Sequence, residues 1–214
     1  MKVLVTGFDP FDREKINPAY EAVKLLPDTI GGAEVKKLEI PTVFGKGAAE
    51  VEKAIESFNP DIVICVGQAG GRSCISIEKV AINLAEARIP DNEGNQPLDK
   101  AIVPDGPTAY FANLPLKAMI ENVRNHGIPC HMSFSAGTFV CNDVMYRLLH
   151  LINTKYHHIK GGFIHVPYTH SQAVTKADGT PSMDEKTIAK GLEYAIDAVV
   201  LDKAHSGGSM GTTH

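Results

Sequence analysis

No Cys-x-x-Cys pair, no apolar run of bilayer length and no excess of positive charge occur in this 214-residue sequence. Each absence narrows the function. A membrane helix needs roughly 18 or more consecutive apolar residues, so a helical membrane protein is excluded. A formal net charge of -4 argues against a general nucleic-acid binder, which would be basic. No His/Cys/Asp/Glu spacing resembles a closed zinc site. Neither G-x-G-x-x-G nor a Walker A pattern is present, and Thr6-Gly7-Phe8-Asp9-Pro10-Phe11 has too few glycines to cradle a phosphate. The opening Met1-Lys2-Val3-Leu4-Val5-Thr6-Gly7 lacks a signal-peptide layout and reads directly as a strand. A cytoplasmic location is therefore expected, where Cys65, Cys74, Cys130 and Cys141 stay reduced.

What is present is an alternation of strand and helix patterns. Val3 to Thr6, Val35 to Ile40, Ile62 to Val66, Cys130 to Phe134 and Gly162 to Val166 read as strands. Ile75 to Leu84 has strand character, alternating in part. Helices are predicted from Asn17-Pro18 to about Leu26, over Gly47 to Phe58, over Leu116 to Asn125, and behind Cys141. Ser182 with Glu185 suggests a capping box for a last helix with Ile188, Leu192, Ile196 and Val199 inward. Residues 88–107, rich in Pro, Asp, Asn and Gly, read as a long surface excursion. The expected fold is α/β, a single-domain three-layer αβα sandwich around a mostly parallel twisted sheet. Residues 1–204 would form that domain, and residues 205–214 a flexible tail. Ligands of such sheets bind beyond the C-terminal strand ends.

Chemistry concentrates at Cys141. It follows the small-residue turn Ser135-Ala136-Gly137-Thr138 and opens an amphipathic segment with Val144, Met145, Leu148, Leu149 and Ile152 at helical spacing. A sulfur at a helix N-terminus meets unpaired N–H groups and the positive end of the dipole, which favour the nucleophilic thiolate. Cys65 lies in an apolar run and reads as core. A thiol nucleophile needs a base; among nine histidines His165 interrupts the apolar strand Phe163-Ile164-His165-Val166, where packing does not call for a polar group. Glu78, flanked by Ile77 and Val80, is the candidate to orient that imidazole. Asp143, two residues past the nucleophile, would oppose a thiolate; helical geometry turns it about 200° away.

Several long, ordered motifs carry a resemblance across nearly the whole chain. They are Val5-Thr6-Gly7-Phe8-Asp9-Pro10-Phe11, Gly67-Gln68-Ala69-Gly70-Gly71-Arg72, Ile75 to Asn83, Ala87-Arg88-Ile89-Pro90-Asp91-Asn92, Ser135 to Asn142, and His165-Val166-Pro167. On these the sequence resembles the pyroglutamyl peptidase type I family of cysteine peptidases. The resemblance implies removal of an N-terminal pyroglutamyl residue from peptides through a thioester, with no metal or organic cofactor, in a homotetramer. It puts nucleophile, base and orienting acid on Cys141, His165 and Glu78. It puts Phe8 and Phe11 on apolar walls around the lactam, Gln68 beside the ring, and Arg88 near the oxyanion with the Cys141 N–H. Asp12-Arg13 departs from the glycines usual in relatives, and Ala85-Glu86 from a common acidic pair. A related amidase using the same three residues on another lactam or amide remains the alternative.

Overall fold

The computed structural model describes residues 1–203, 205 and 207–212. Its elements in chain order are β1 (Lys2–Phe8), α1 (Pro18–Lys24), β2 (Thr29–Ile30), β3 (Ala33–Ile40), α2 (Lys46–Phe58), β4 (Ile62–Gln68), β5 (Ile75–Glu78) and β6 (Val80–Ile82). They continue with β7 (Ala109–Phe111), α3 (Leu116–Asn125), β8 (Cys130–Ser133), α4 (Val140–Thr154), β9 (Lys160–Val166), α5 (His170–Ala173) and α6 (Glu185–Val200). Seven strands form one sheet in the order β2-β3-β1-β4-β9-β5-β8, and β6 and β7 form a separate ribbon. Helices α2 and α4 cover one face; α1, α3 and α6 cover the other. The α/β architecture expected from the alternation is the one observed.

The central strands are parallel. β1 pairs with β3 and β4, and β4 with β9, with Gly67 opposite His165. Their residues are almost wholly buried, because helices cover both faces. β5 is the exception: it runs antiparallel to β9, with Ser76 opposite His165, yet parallel to β8. The strand-like segment from Ile75 to Leu84 divides at Lys79 into β5 and β6, which belong to different sheets. The partner of β6, the ribbon strand β7, went unforeseen just past the excursion.

Helix boundaries follow their caps. Asn17 accepts from the Ala19 N–H with Pro18 at the first helical position, and α2 ends where Asn59 turns left-handed at φ 51°. The Ser182 capping box is corrected: Asp184 caps α6, accepting from Lys186 and Thr187, while Ser182 Oγ faces His170 Nδ1 at 2.8 Å. The capping box forms instead at Thr169 and Gln172, on the short helix α5. Leu148, Leu149 and Ile152 anchor the tail of α4 in the core. Burying each is worth about 1.5–3 kcal/mol, so packing holds this helix and its first turn is left for chemistry. The predicted tail begins at His205; within it Lys117 Nζ donates to the Gly208 carbonyl and Met210 packs on the core. Ala204, Ser206, Thr213 and His214, which belong to that domain boundary and tail, lie outside the described residues.

Asp91 and Asn92 tie down the start of the excursion. Asp91, buried, accepts from the Phe44, Glu93 and Asn95 N–H groups at 3.0, 2.9 and 2.9 Å. Asn92 Nδ2 donates to the Pro10 carbonyl at 2.9 Å, pinning the loop after β1. That loop holds Asp12 and Arg13 at φ 51° and 63°, the conformation glycine adopts freely and other residues pay about 1–3 kcal/mol to hold. Asp91→Ala would strand three backbone donors and is expected to lower stability by about 2–4 kcal/mol, read by urea unfolding. Burial raises the Asp91 carboxyl, but the bonds from Asn95, Phe44 and Glu93 outweigh it and hold it below the usual range. A depressed acid contributes stability above its ordinary pKa and loses it as pH falls through the folded value. The gap between wild type and Asp91→Ala should therefore close on acidification; a gap under 0.5 kcal/mol at neutral pH would count against this role.

Candidate active site

Alternation along the strands puts one set of side chains on the sheet face under α4. Phe163 and His165 of β9 share it with Ser76 and Glu78 of β5 and with Gly67 of β4. From there Glu78 reaches diagonally to His165: Nδ1 and Oε1 are 2.8 Å apart, both residues buried. No protein group among the described residues hydrogen-bonds the other ring nitrogen, Nε2. The Phe163 ring lies 4.8 Å from the imidazole.

Cys141 arrives from the opposite side. Phe139 is the N-cap of α4, so Cys141 is its second residue, and no side chain caps the helix. Asn142 fixes this turn. Its Oδ1 accepts from Ile82 N at 3.0 Å, and its Nδ2 donates to the Ile82 and Leu84 carbonyls at 2.9 and 3.0 Å. The sulfur comes to rest over Gly67, the strand neighbour of His165. A Cβ there would lie 2.8 Å from Cys141 Sγ and 2.8 Å from Phe163 Cζ. Gly67→Ala is accordingly expected to push the sulfur out of line. A fall in kcat/KM of about 100-fold should accompany a stability loss of about 1–3 kcal/mol. Near-wild-type turnover in that variant would mean the sulfur has room to move.

Charge decides the resting state. Burial pushes the Cys141 thiol up to about 12, with the nearby Glu78 adding to the rise and Arg72 opposing it. Desolvation of this half-buried sulfur thus works against the helix end, which favours the thiolate. Burial also lowers His165, Arg72 adds to this, and Glu78 opposes both. The imidazole is therefore neutral and able to accept a proton. Glu78 is raised by burial but held below the ordinary range by His165, Ser133 and Arg72, so it is ionised. Asp143 does not enter this balance. It is buried on the far side, accepting from Gly45 N at 2.8 Å and Arg147 Nε at 2.9 Å. Cys65 and Cys130, both buried, are likewise pushed up to about 12.

The remaining expected residues spread around this centre. Phe8 is buried, its ring 6.2 Å from Phe163. Phe11 is half-buried, 6.2 Å from Phe139, which also meets Phe44 edge-on at 5.4 Å. Gln68 Oε1 accepts from Gln172 Nε2 at 3.0 Å. Arg88 is exposed on the excursion, its carbonyl accepting from Gln96 Nε2 at 3.1 Å. Another guanidinium, that of Arg72, touches the orienting acid, with Nη1 2.8 Å from Glu78 Oε1. Arg72 and Asn142 both end a recognised motif, and that was the only signal available for either.

The chain is similar along its length to known peptidases. The family model described as pyroglutamyl peptidase matches residues 1–202. A pyrrolidone-carboxylate peptidase of Enterococcus faecalis is 58% identical over 214 residues, covering 100% of both chains. One from Clostridium perfringens is 59% identical over 202 residues, 94% of each. Among solved structures, pyroglutamyl peptidase I of Bacillus amyloliquefaciens superposes with TM-score 0.91 at 48% identity, over 94% of this chain and 97% of that one. A mutant pyrrolidone carboxyl peptidase from Pyrococcus furiosus gives 0.90 at 46% identity, over 95% and 99%. With the match running almost end to end and the Glu78–His165 pair set beside Cys141, the chain belongs to the pyroglutamyl peptidase family.

Proposed function

We propose that this chain hydrolyses the amide bond after an N-terminal pyroglutamyl residue, with Cys141 as nucleophile, His165 as acid–base and Glu78 as its orienting acid. The observation that carries the assignment is the buried 2.8 Å His165–Glu78 bond on the sheet face where Gly67 admits Cys141 Sγ. Thiol and imidazole both rest neutral, so the proton moves from sulfur to His165 Nε2 as sulfur attacks the carbonyl. The oxyanion is met by the Cys141 N–H in the uncapped first turn of α4. Arg88 is assigned to assist there, the role implied by the family resemblance. The imidazolium then protonates the departing amine, and the C–N bond breaks to leave a thioester. A water that gives a proton to His165 attacks the thioester, releasing pyroglutamic acid and the thiol.

The lactam is small, flat and uncharged, so apolar walls suit it. Phe11 with its neighbours Phe139 and Phe44 supplies such surface, Phe8 backs Phe163, and Gln68 stands at the adjoining strand end. No helix among the described residues is long and apolar enough to cross a membrane. Action in the cytoplasm, a single domain over residues 1–204 and a homotetramer belong to the same proposal. One continuous hydrophobic core supports the single domain, and Leu98, exposed on the excursion, supports an interface there. The functional test compares pyroglutamyl-amide and prolyl-amide reporters, which differ at the ring carbonyl. Cleavage confined to the pyroglutamyl reporter is expected; equal cleavage of both would favour a broader amidase.

A further inference from the structure

Arg72 touches both the orienting acid and the turn ahead of the nucleophile. Its Nη1 donates to Glu78 Oε1 at 2.8 Å and its Nη2 to the Ser135 carbonyl at 3.2 Å. The same Oε1 bonds His165 Nδ1 at 2.8 Å, while Glu78 Oε2, buried, has no partner among the described residues. Two donors thus share one carboxylate oxygen, with Ser133 near enough to the same carboxylate to lower it as well. The Arg72 backbone is itself fixed. Its N–H closes a turn onto the Ala69 carbonyl at 3.3 Å, and the Tyr168 ring presses so closely on Gly70 that a Cβ would fall 2.2 Å from it.

A full carboxylate charge facing His165 would hold the proton on the imidazolium and slow its delivery to the departing amine. The same charge would repel the thiolate as it forms. A fixed cation on the shared oxygen reduces both effects. We propose that Arg72 is a positioning residue of this reaction: it divides the charge of Glu78 between itself and His165, and ties Glu78 to the turn that carries Cys141. This rests on the catalytic roles given above to Cys141, His165 and Glu78. Consistent with it, Glu78 raises both His165 and Cys141, and Arg72 lowers both. The other titratable groups facing this region are His131 on β8, Cys74 beside β5, Cys65 on β4 and Arg124 on α3. His131 is engaged by Cys74 Sγ at 2.8 Å and Ser76 Oγ at 3.4 Å, and Arg124 Nε by the Cys130 carbonyl at 2.6 Å. None of them bonds the shared oxygen.

The experiment reads His165 directly. In the inactive Cys141→Ser background, the imidazole is titrated by NMR with and without Arg72→Gln or Arg72→Lys, using His165→Gln to assign its signal. Arg72→Gln is expected to move the His165 titration to higher pH, and Arg72→Lys to return it toward the parent. With Cys141 restored, Arg72→Gln should lower kcat roughly tenfold, the rate equivalent of one charge-assisted hydrogen bond. KM should change little, and both limbs of the pH profile should shift upward. A purely structural arginine would lower the rate without moving either limb. An unshifted His165 titration in Arg72→Gln, or a lysine variant no closer to the parent than glutamine, overturns the proposal. Hydrolysis that survives Cys141→Ser would instead overturn the catalytic roles themselves, so the two failures are distinguishable.

Discussion

Cys141→Ser should leave the fold intact and reduce hydrolysis of a pyroglutamyl reporter by roughly 10⁴-fold or more, the scale set by loss of a catalytic nucleophile. Oxygen replaces sulfur at the same place, second in α4 and over Gly67, so packing barely changes. What changes is nucleophilicity. A serine hydroxyl is harder to deprotonate than even a buried thiol, and His165 is lowered rather than raised by its surroundings. The base cannot compensate. The measurement is kcat/KM alongside the unfolding midpoint. Activity within tenfold of wild type at an unchanged midpoint would remove Cys141 from the chemistry.

Glu78→Gln should cost roughly 10²- to 10⁴-fold in kcat, the scale of acid–base catalysis, because it removes a charge and leaves the hydrogen bonds in place. Arg72 is a donor only. It would keep the amide oxygen of the new side chain at the place of Oε1, 2.8 Å away. That oxygen would still accept from His165 Nδ1, so Nε2 stays free to take the proton from sulfur. The imidazolium would lose the carboxylate that raises His165, so the acid limb of the pH profile should move lower. A loss below tenfold would mean that the charge of Glu78 does little for the imidazolium.

How far the sequence was legible depended on how local each determinant is. The buried parallel strands β1, β4 and β9 were readable because helices on both faces demand continuous apolar runs. Asn17-Pro18 was readable because a cap and its proline are adjacent. The break at Lys79 was not, since β5 and β6 share one apolar pattern and only their distant partners separate them. Asp184 displaced Ser182 as the α6 cap because both are capping residues and one turn decides between them. Cys141, His165 and Glu78 were legible as residue types in recognisable segments. The meeting of Glu78 with His165, 87 positions apart, needed the sheet. Arg72 and the raised thiol were hidden for the same reason, since desolvation and a shared carboxylate oxygen are properties of the assembled site.

The reversed direction of β5 has a consequence for how this site tolerates change. Glu78 lies under α4 only because Ser76, two residues earlier, faces His165 across an antiparallel pair. Adding or deleting one residue between Arg72 and Ile75 can be absorbed in two ways. Either the loop bulges, or β5 slips by one and every side chain on it changes faces. A slip would send Glu78 toward α3 and α6 and bring Ile77 beneath Cys141. Chain length in those few residues, far more than their identity, is therefore what keeps the acid and the base in the same layer.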